Sequence, residues 1–441
     1  MKIIVLDDDP TGIQTVHDIY VYTDWHLETI RKAFQDANNL FFILTNSRSF
    51  SEEKTIQVHQ EIGEKIKQVA QESGKEYIVI SRGDSTLRGH YPFETETLRD
   101  ALEGDDISYD GEIFCPFFLE GGRITEHGIH YIQEDGQRLP VAESEFAKDK
   151  TFGYEASELG AFIEEKTKGR YPASTCTYID VELLRAKNIE TIFNTLRQVH
   201  SFNKVIVDAT NYHELQTFMT AFTRALKSGK RFIVRSAAGF PKVLGNISDQ
   251  KLLTRTDLID DNLESGGLVL IGSHVNKTTE QLIALKASKL DLDYIEFNAD
   301  RVKVEGGLRS EVDRIIQKVE KNIVQKKTTV VYTSRKPVEL ETHNREEILK
   351  ASVEISDAVT SIVGRLSIKP SFILAKGGIT SSDVGTKALQ VKKALVMGQV
   401  KPGVPVWKTD PESKFPNMPY IIFPGNVGER ETLKEIIETI I

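Results

Sequence analysis

Apolar runs that end in polar, turn-forming residues recur along this chain, and they constrain its fold more than any other feature. In the first half of the chain these runs are 2–6 (KIIVL), 40–45 (LFFILT), 77–81 (YIVIS), 204–210 (KVIVDAT) and 231–237 (RFIVRSA). Segments with helical spacing, such as 25–37 and 52–72, lie between them. Unbroken apolar strands that alternate with helices are typical of a parallel sheet covered on both faces. The pattern therefore predicts an α/β fold.

The second half repeats the pattern after a polar segment with a Gly-Gly end. Its apolar runs are 267–273, 294–298, 328–334, 371–378 and 420–426. A chain of 441 residues is longer than one hydrophobic core usually organises. We therefore expect two domains, each with a largely parallel sheet flanked by helices. The predicted boundaries are 1–248 for the N-terminal domain, 249–266 for a linker and 267–441 for the C-terminal domain.

Composition excludes several classes of function. No stretch approaches the ~20 consecutive apolar residues that span a bilayer, and the opening MKIIVL is too short for a secretory signal. A formal net charge of -9 argues against nucleic acid as a partner. Cys115 and Cys176 lie in no metal-ligand spacing. We expect a cytoplasmic protein that binds neither membranes nor nucleic acid.

Acids, arginines and hydroxyls follow the first three apolar runs. They are Asp7, Asp8, Asp9, Arg48, Arg82, Asp84, Ser85, Thr86 and Arg88. Ligands of open α/β sheets bind beyond the carboxyl ends of the strands, so we expect these side chains around one crevice. Guanidinium groups bind carboxylate or phosphate, and carboxylates accept hydrogen bonds from sugar hydroxyls. The pattern indicates a small anionic, hydroxylated substrate, with one aspartate as a candidate general base.

Glycine-bearing turns follow three runs of the second half. They contain Gly272 and Ser273 (IGSH), Gly377 and Gly378 (AKGGITSSDVGTKAL), and Gly425 (FPGNVG). Backbone N–H groups at such turns can bind anions. Together the turns indicate a cradle for nucleotide phosphates. Neither GxxxxGK[ST] nor GxGxxG occurs, so the chain is neither a Walker-type P-loop protein nor a standard dinucleotide-binding protein.

The stretch 115–131 (CPFFLEGGRITEHGIHY) carries Arg123, His127 and His130 close to two glycines. The histidines are candidate acid–base groups or metal ligands. No third ligand lies near them in the sequence, and we favour a hairpin with surface imidazoles.

Taken together, the motifs resemble those of the four-carbon acid sugar kinases. The resemblance runs from Lys2 to about Gly428 and includes LDDDPTG, LTNSRS, SRGDSTLRGHYPFE, CPFFLEGGRIT, EFAKDKTFGY, IGSHVNKTTEQL, AKGGITSSDVGTKAL, GQVKPGVPVW and FPGNVG. Better-known members read ADDLTGA or ADDFTGA at the first motif and have Lys where Arg82 stands. The chain is therefore similar to a divergent branch of the family.

The resemblance implies ATP-dependent phosphorylation of the terminal hydroxyl of a tetronate, such as threonate, erythronate or an oxo form. It implies a sugar-acid-binding N-terminal domain, a nucleotide-binding C-terminal domain and an active site in the cleft between them. Asp8 and Asp9 are the implied catalytic residues. The expected substrate-binding residues are Arg48, Arg82, Gly83, Asp84, Ser85 and Arg88, and the nucleotide-binding residues are Ser273, Gly377, Gly378, Ile379, Thr380 and Gly425. Mg²⁺, with unassigned ligands, follows from the chemistry, and a homodimer is the default expectation.

Two other functions compete with the kinase. The segment IIVLDDDPT also fits a phosphatase of the haloacid dehalogenase type, with Asp7 as nucleophile and Asp9 as acid–base group. That mechanism leaves the glycine turns of the second half without a function. A sugar-acid sensor that binds its ligand without turnover is the third alternative.

Overall fold

The structure, a computed structural model, describes residues 1–104, 107–134, 136–260, 265–336, 338–339, 344–425 and 427–441. The chain divides into two compact units, Met1–Asp249 and Gln250–Ile441. Within the described ranges, none of the helices combines the length and apolar character that a membrane crossing requires.

The N-terminal unit is built on a parallel sheet. Its strands are β1 (Lys2–Asp7), β2 (Ile19–Tyr22), β3 (Leu40–Leu44), β4 (Tyr77–Arg82), β5 (Gly111–Cys115), β6 (Arg123–Glu126), β7 (Ile129–Glu134), β8 (Gln137–Pro140), β9 (Thr177–Ile179), β10 (Asn203–Val207) and β11 (Phe232–Ser236). The main sheet has the order β2-β3-β1-β4-β11-β5-β10-β9, and neighbouring strands are parallel. Strands β6, β7 and β8 form a separate antiparallel sheet.

Helices flank this sheet because its strands are apolar on both faces. They are α1 (Leu27–Gln35), α2 (Glu52–Ser73), α3 (Phe93–Leu102), α4 (Leu159–Lys166), α5 (Val181–Arg185), α6 (Ile189–Gln198), α7 (Tyr212–Lys227) and α8 (Gly239–Leu244). Phe232 and Ile233 follow one another in β11 and therefore point to opposite faces. Ile233 joins the core formed with α1, α2 and α3, whereas the Phe232 ring packs 5.6 Å from Phe222 of α7. Both faces of the sheet are thus covered.

The C-terminal unit is also built on largely parallel strands. Its strands are β12 (Leu268–Ile271), β13 (Leu292–Phe297), β14 (Thr328–Thr333), β15 (Ile373–Lys376), β16 (Lys393–Lys401), β17 (Val404–Thr409) and β18 (Pro419–Phe423). The order is β13-β14-β12-β15-β18-β17-β16, parallel as far as β18 and antiparallel beyond it. Its helices are α9 (Arg255–Leu258), α10 (Asn276–Lys286), α11 (Gly307–Val324), α12 (Arg345–Arg365), α13 (Gly378–Asp383) and α14 (Thr432–Ile440). The predicted α/β class with largely parallel sheets is confirmed.

The segment that the sequence predicts as a linker differs from that expectation. Leu253, Leu258 and Ile259 are buried in the core of the C-terminal unit, and the Leu253 N–H donates to the Gln399 carbonyl at 2.7 Å. These apolar side chains are interspersed among charged residues, so the segment is polar on average although some of its side chains are buried. Residues 261–264 of the predicted linker lie outside the described ranges.

Candidate functional site

The loops after β1, β3 and β4 lie side by side at the carboxyl edge of the N-terminal sheet. Asp7 ends β1 opposite Leu44 of β3 and Arg82 of β4. The Thr45 N–H donates to the Asp7 carbonyl at 2.9 Å, and the Asp8 N–H donates to the Arg82 carbonyl at 3.3 Å. The parallel register thus brings together the loops that carry the predicted substrate-binding residues.

Asp8 lies at the centre of a buried ion cluster. Arg48 donates to it twice, from Nε to Oδ2 at 3.0 Å and from Nη2 to Oδ1 at 2.7 Å. Arg82 adds a contact from Nη1 to Oδ1 at 3.4 Å. Asp8 and Arg82 are both buried, and buried charges need such partners. The cluster ties the three loops to one another.

Asp7 is closed off from solvent by the turn that follows it. A Cβ atom on Gly12 would lie 2.1 Å from Asp7 Oδ1, so only glycine lets the turn close over the carboxyl group. Burial raises the pKa of Asp7 to about 8, against the attraction of Arg82. Asp7 is therefore mostly protonated near neutral pH and is inaccessible to a substrate.

Asp9 keeps a carboxylate oxygen near solvent. Its side chain is 20% exposed, and Arg48 Nη1 lies 3.4 Å from Oδ2. Oδ1 accepts hydrogen bonds from the N–H and the hydroxyl of Thr11, at 2.8 and 2.5 Å. Although burial opposes it, Arg48 and Thr11 hold the pKa of Asp9 below its usual range. Asp9 is thus ionised and is the most accessible acid of the row.

The 82–88 loop contributes a further charged group, Asp84. Arg88 Nε donates to Asp84 Oδ2 at 2.7 Å, the Thr86 hydroxyl donates to the same oxygen, and Arg48 Nη1 lies 4.0 Å from Oδ1. Although burial opposes it, Arg48 and Arg88 hold the pKa of Asp84 well below its usual range. The side chain is 12% exposed, so Asp84 forms part of the accessible rim of the cluster.

Arg235, near the end of β11, belongs to the same cluster and was missed by the sequence analysis. It contacts Glu94 at 2.6 Å and Ser81 at 3.1 Å. A Cβ atom on Gly83 would lie 2.1 Å from its Nη2, and one on Gly89 would lie 2.9 Å from it. The Arg235 guanidinium therefore leaves no room for a side chain at position 83 or 89, which explains why both residues are glycine. The strand-end rule applied to RFIVRSA could have identified it.

Ser85 is held by a histidine of the antiparallel sheet. His130 of β7 is fully buried, with Nδ1 2.9 Å from the Thr125 hydroxyl and Nε2 2.8 Å from the Ser85 carbonyl. Burial lowers the pKa of His130 to about 4, so it is neutral near pH 7. The expectation of surface imidazoles is therefore correct for His127, which is exposed, and wrong for His130. His130 anchors the antiparallel sheet to the 82–88 loop.

In the C-terminal unit the predicted turns meet around Ser273. A Cβ atom on Gly377 would lie 3.1 Å from Ser273 Cβ and 3.2 Å from Thr380 Oγ1, and one on Gly425 would lie 2.8 Å from Ser273 Oγ. Gly377 also has φ +126°, which side chains rarely adopt. Gly272 approaches Thr380 in the same way, at 2.1 Å. The glycines allow three loops to pack closely at the carboxyl edge of this sheet.

Two polar residues that the sequence analysis missed hold Ser273 in place. The Thr278 hydroxyl donates to Ser273 Oγ at 3.2 Å and lies 3.0 Å from the Gly425 carbonyl. Arg335 Nη1 donates to the Ser273 carbonyl at 2.7 Å. Thr278 lies in the IGSHVNKTTEQL motif and Arg335 follows β14, but neither position by itself indicates a contact with Ser273, which arises only from the packing of the loops.

Gly378 and Ile379 face away from this packed turn. A Cβ atom on Gly378 would meet nothing within 4 Å, and Ile379 is 68% exposed. An exposed isoleucine next to an open glycine provides an apolar contact surface beside the turn. These two predicted nucleotide-binding residues are therefore accessible, whereas Gly377 and Thr380 shape the turn.

Lys376, which precedes the glycine turn, points into the protein. Its ammonium group donates to the Pro424 carbonyl at 3.0 Å and lies 3.5 Å from the centre of the Phe423 ring. Burial lowers the pKa of Lys376 to about 7. Lys376 therefore stabilises the contact between β15 and the loop after β18.

The ionised carboxylates of the cluster are candidate Mg²⁺ ligands. Mg²⁺ is commonly held by one or two carboxylates together with substrate phosphates and water. Asp9 and Asp84 fit this role because both are ionised and partly exposed. A separate group of His127, Asp180 and Asp208 has ligand atoms within 4.8 Å of one another. Asp208 there accepts three backbone N–H donors, at 2.7 to 3.1 Å, which accounts for its position.

Comparisons with known proteins agree with this division into two units. Residues 3–244 match the family described as the sugar-binding N-terminal domain, and residues 268–433 match the nucleotide-binding C-terminal domain. No curated protein matches the chain.

Solved structures share the fold at low sequence identity. A Haemophilus influenzae protein from a domain-of-unknown-function family is 17% identical with a TM-score of 0.65, over 99% of this chain and 100% of that chain. A Salmonella typhimurium LT2 protein, provisionally assigned as a tRNA synthase, is 16% identical with a TM-score of 0.68, over 98% of both chains. These similarities extend to the whole chain.

Proposed function

Since both of its domains match, the chain belongs to the four-carbon acid sugar kinase family, and we propose that it phosphorylates a four-carbon sugar acid with ATP. The acceptor is the terminal hydroxyl of threonate, erythronate or an oxo-tetronate. The observation that carries the proposal is an ionised, accessible aspartate, Asp9, set among arginines in the sugar-binding domain.

In this proposal the three aspartates of the first loop have different functions. Asp9 accepts the proton of the attacking hydroxyl, a role that needs an accessible carboxylate. Asp8 holds Arg48 and Arg82 in position through its buried contacts. Asp84 lies on the same rim, and we assign the hydrogen bonds to the sugar-acid hydroxyls to Asp84 and its neighbour Ser85.

The glycine turns of the C-terminal unit bind the nucleotide. Ser273, Gly377 and Gly425 lie close together, which supports a shared role in binding the triphosphate. Backbone N–H groups freed at such turns are suitable donors to phosphate oxygens. Gly378 and Ile379 provide accessible backbone and an apolar contact next to them.

Bound Mg²⁺ would supply positive charge to balance that of the phosphate oxygens during transfer. Asp9 and Asp84 are the accessible carboxylates that suit it. The acidic rim therefore serves both the acceptor hydroxyl and the charge balance of the reaction.

The phosphatase alternative requires Asp7 as nucleophile, and the environment of Asp7 argues against it. The carboxyl group lies beneath Gly12, and burial raises its pKa to about 8. A protonated, covered carboxyl group is a poor nucleophile. The sensor alternative predicts ligand binding without turnover. An assay for ADP release in the presence of the acid distinguishes it from the kinase.

Thermal-shift screening of four-carbon acids, with and without ATP and Mg²⁺, tests the proposal. A ligand that binds only the folded protein raises its melting temperature by mass action. We expect a shift with at least one tetronate, and ADP release in the presence of that acid. Phosphate release from a phosphomonoester without ATP, abolished in Asp7→Asn, would instead support the phosphatase.

A further inference from the structure

The arginines that the sequence predicts to bind the substrate already contact aspartates. Arg48 holds Asp8 at 2.7 Å and Arg88 holds Asp84 at 2.7 Å. Arg82 is buried with two aspartate contacts, at 3.3 and 3.4 Å. A guanidinium that is engaged with one carboxylate has fewer donors for a second anion. The cluster therefore needs another cation to bind a negatively charged substrate.

Arg123, the first residue of β6, has the donors that such an anion needs. In the part of the chain that the structure describes, no carboxylate oxygen lies within 4.0 Å of a guanidinium nitrogen of Arg123, so no ion pair forms there. The buried Nε of Arg123 also has no hydrogen-bond partner among these residues. Burial lowers the pKa of Arg123, with Asp84 acting in the opposite direction. A buried guanidinium N–H group without an acceptor is costly unless a ligand supplies one.

Arg123 lies beside the proposed substrate loop. Its guanidinium is 5.9 Å from the centre of the Phe146 ring, and the guanidinium of Arg88 is 4.9 Å from the same ring. His130 on the neighbouring strand β7 lies 2.8 Å from the Ser85 carbonyl. The strand pair β6–β7 is thereby fastened to the loop, and Arg123 is fixed next to it.

We propose that Arg123 binds the carboxylate of the substrate. Its planar fork suits a carboxylate, and none of the acids among the described residues forms an ion pair with it, so its charge is left for the ligand. The ligand class is then a hydroxy acid rather than a neutral polyol. The inference rests on the proposed function, since it takes a sugar acid as the ligand of the N-terminal domain.

The test compares acids with their uncharged counterparts. Threonate and erythronate are paired with threitol and erythritol, which carry CH₂OH in place of the carboxylate. Binding to the full-length protein is measured by calorimetry, and ATP-dependent turnover is measured separately. The variants are Arg123→Gln and Arg123→Lys. The matched control is Arg138→Gln, which removes an arginine of β8 that contacts Glu126 in the same small sheet.

We expect Arg123→Gln to weaken binding of the acid about 10- to 100-fold and to raise its KM by a similar factor. The affinity for the alditol stays unchanged, Arg123→Lys retains part of the preference for the acid, and Arg138→Gln behaves as the unsubstituted protein. Melting temperatures establish that each variant is folded. If Arg123→Gln does not fold, the reduced preference for the acid over the alditol is measured on Arg123→Lys instead.

The inference is overturned if the Arg123 variants bind the acid as tightly as the unsubstituted protein, or lose acid and alditol equally. Binding that depends on Arg123 without phosphoryl transfer overturns the proposed function and leaves the inference standing. Turnover that does not depend on Arg123 overturns the inference alone. A protein that binds neither acid overturns both.

Discussion

Asp7, Asp8 and Asp9 follow one another in the chain but differ in exposure and in the groups that they contact. Asp7 lies under Gly12, Asp8 is clamped by Arg48, and Asp9 keeps an oxygen near solvent. The sequence predicts that the row lies at a strand end, and it does. It could not assign the separate environments, because these depend on a turn and on side chains from other strands.

Asp9→Asn tests the role of the accessible carboxylate. The amide keeps the size of the side chain and an acceptor for Thr11, but it cannot take a proton from the acceptor hydroxyl. We expect kcat to fall about 10²- to 10⁴-fold with little change in binding of the sugar acid. Steady-state kinetics and a thermal shift with the acid measure the two effects. Asp100→Asn, an exposed site on α3, is the control, and an unchanged kcat in Asp9→Asn would refute the assignment.

Asp7 should make the protein less stable as the pH rises. Burial raises its pKa to about 8 in the folded protein, from an ordinary value of 3.8. Between these values the folded protein binds more protons at Asp7 than the unfolded chain, so the free energy of unfolding falls by up to about 1.4 kcal/mol per pH unit. Asp7→Asn removes this dependence. Urea unfolding between about pH 5 and pH 8 should show that the free energy of unfolding of Asp7→Asn rises relative to that of the unsubstituted protein as the pH increases. Parallel pH profiles of the two proteins would contradict the prediction.

At the scale of elements, the carboxyl ends of the strands bring the predicted residues together. Apolar runs and turn residues predict β1, β3, β4, β10 and β11, because buried parallel strands have a simple sequence pattern. The antiparallel strands β16 and β17 were missed. Their pairing carries register shifts around Gly398, where a Cβ atom would lie 2.1 Å from Gln250 Oε1. Such long-range contacts leave no local pattern.

Gly377→Ala tests the glycine turn of the C-terminal unit. At φ +126° an alanine is strained, and its Cβ atom would crowd Ser273. We expect a loss of about 1–2 kcal/mol of stability and weaker nucleotide binding, with binding of the sugar acid unchanged. Gly306→Ala is the control, because Gly306 has φ +65° with no atom near its Cβ position. Calorimetry with a non-hydrolysable ATP analogue measures the effect, and equal nucleotide affinity in both variants would exclude a role for the turn.

At the scale of the whole molecule, the chain combines a sugar-binding and a nucleotide-binding domain, each with largely parallel strands flanked by helices. Strand periodicity predicts this class because it reports how each sheet is covered. It does not report where segments such as 250–260 pack, since three buried apolar residues there are hidden among charges. Strand periodicity does not predict the substrate either, because substrate recognition depends on a few side chains at the ends of strands.

Transfer of a labelled γ-phosphoryl group from ATP to threonate or erythronate, followed by mass spectrometry of the acid, tests the central claim most directly. The account predicts a labelled phosphorylated tetronate that forms only with ATP and Mg²⁺ and is lost in Asp9→Asn. Label recovered solely as inorganic phosphate, or no labelled acid with any tetronate that the protein binds, would contradict it.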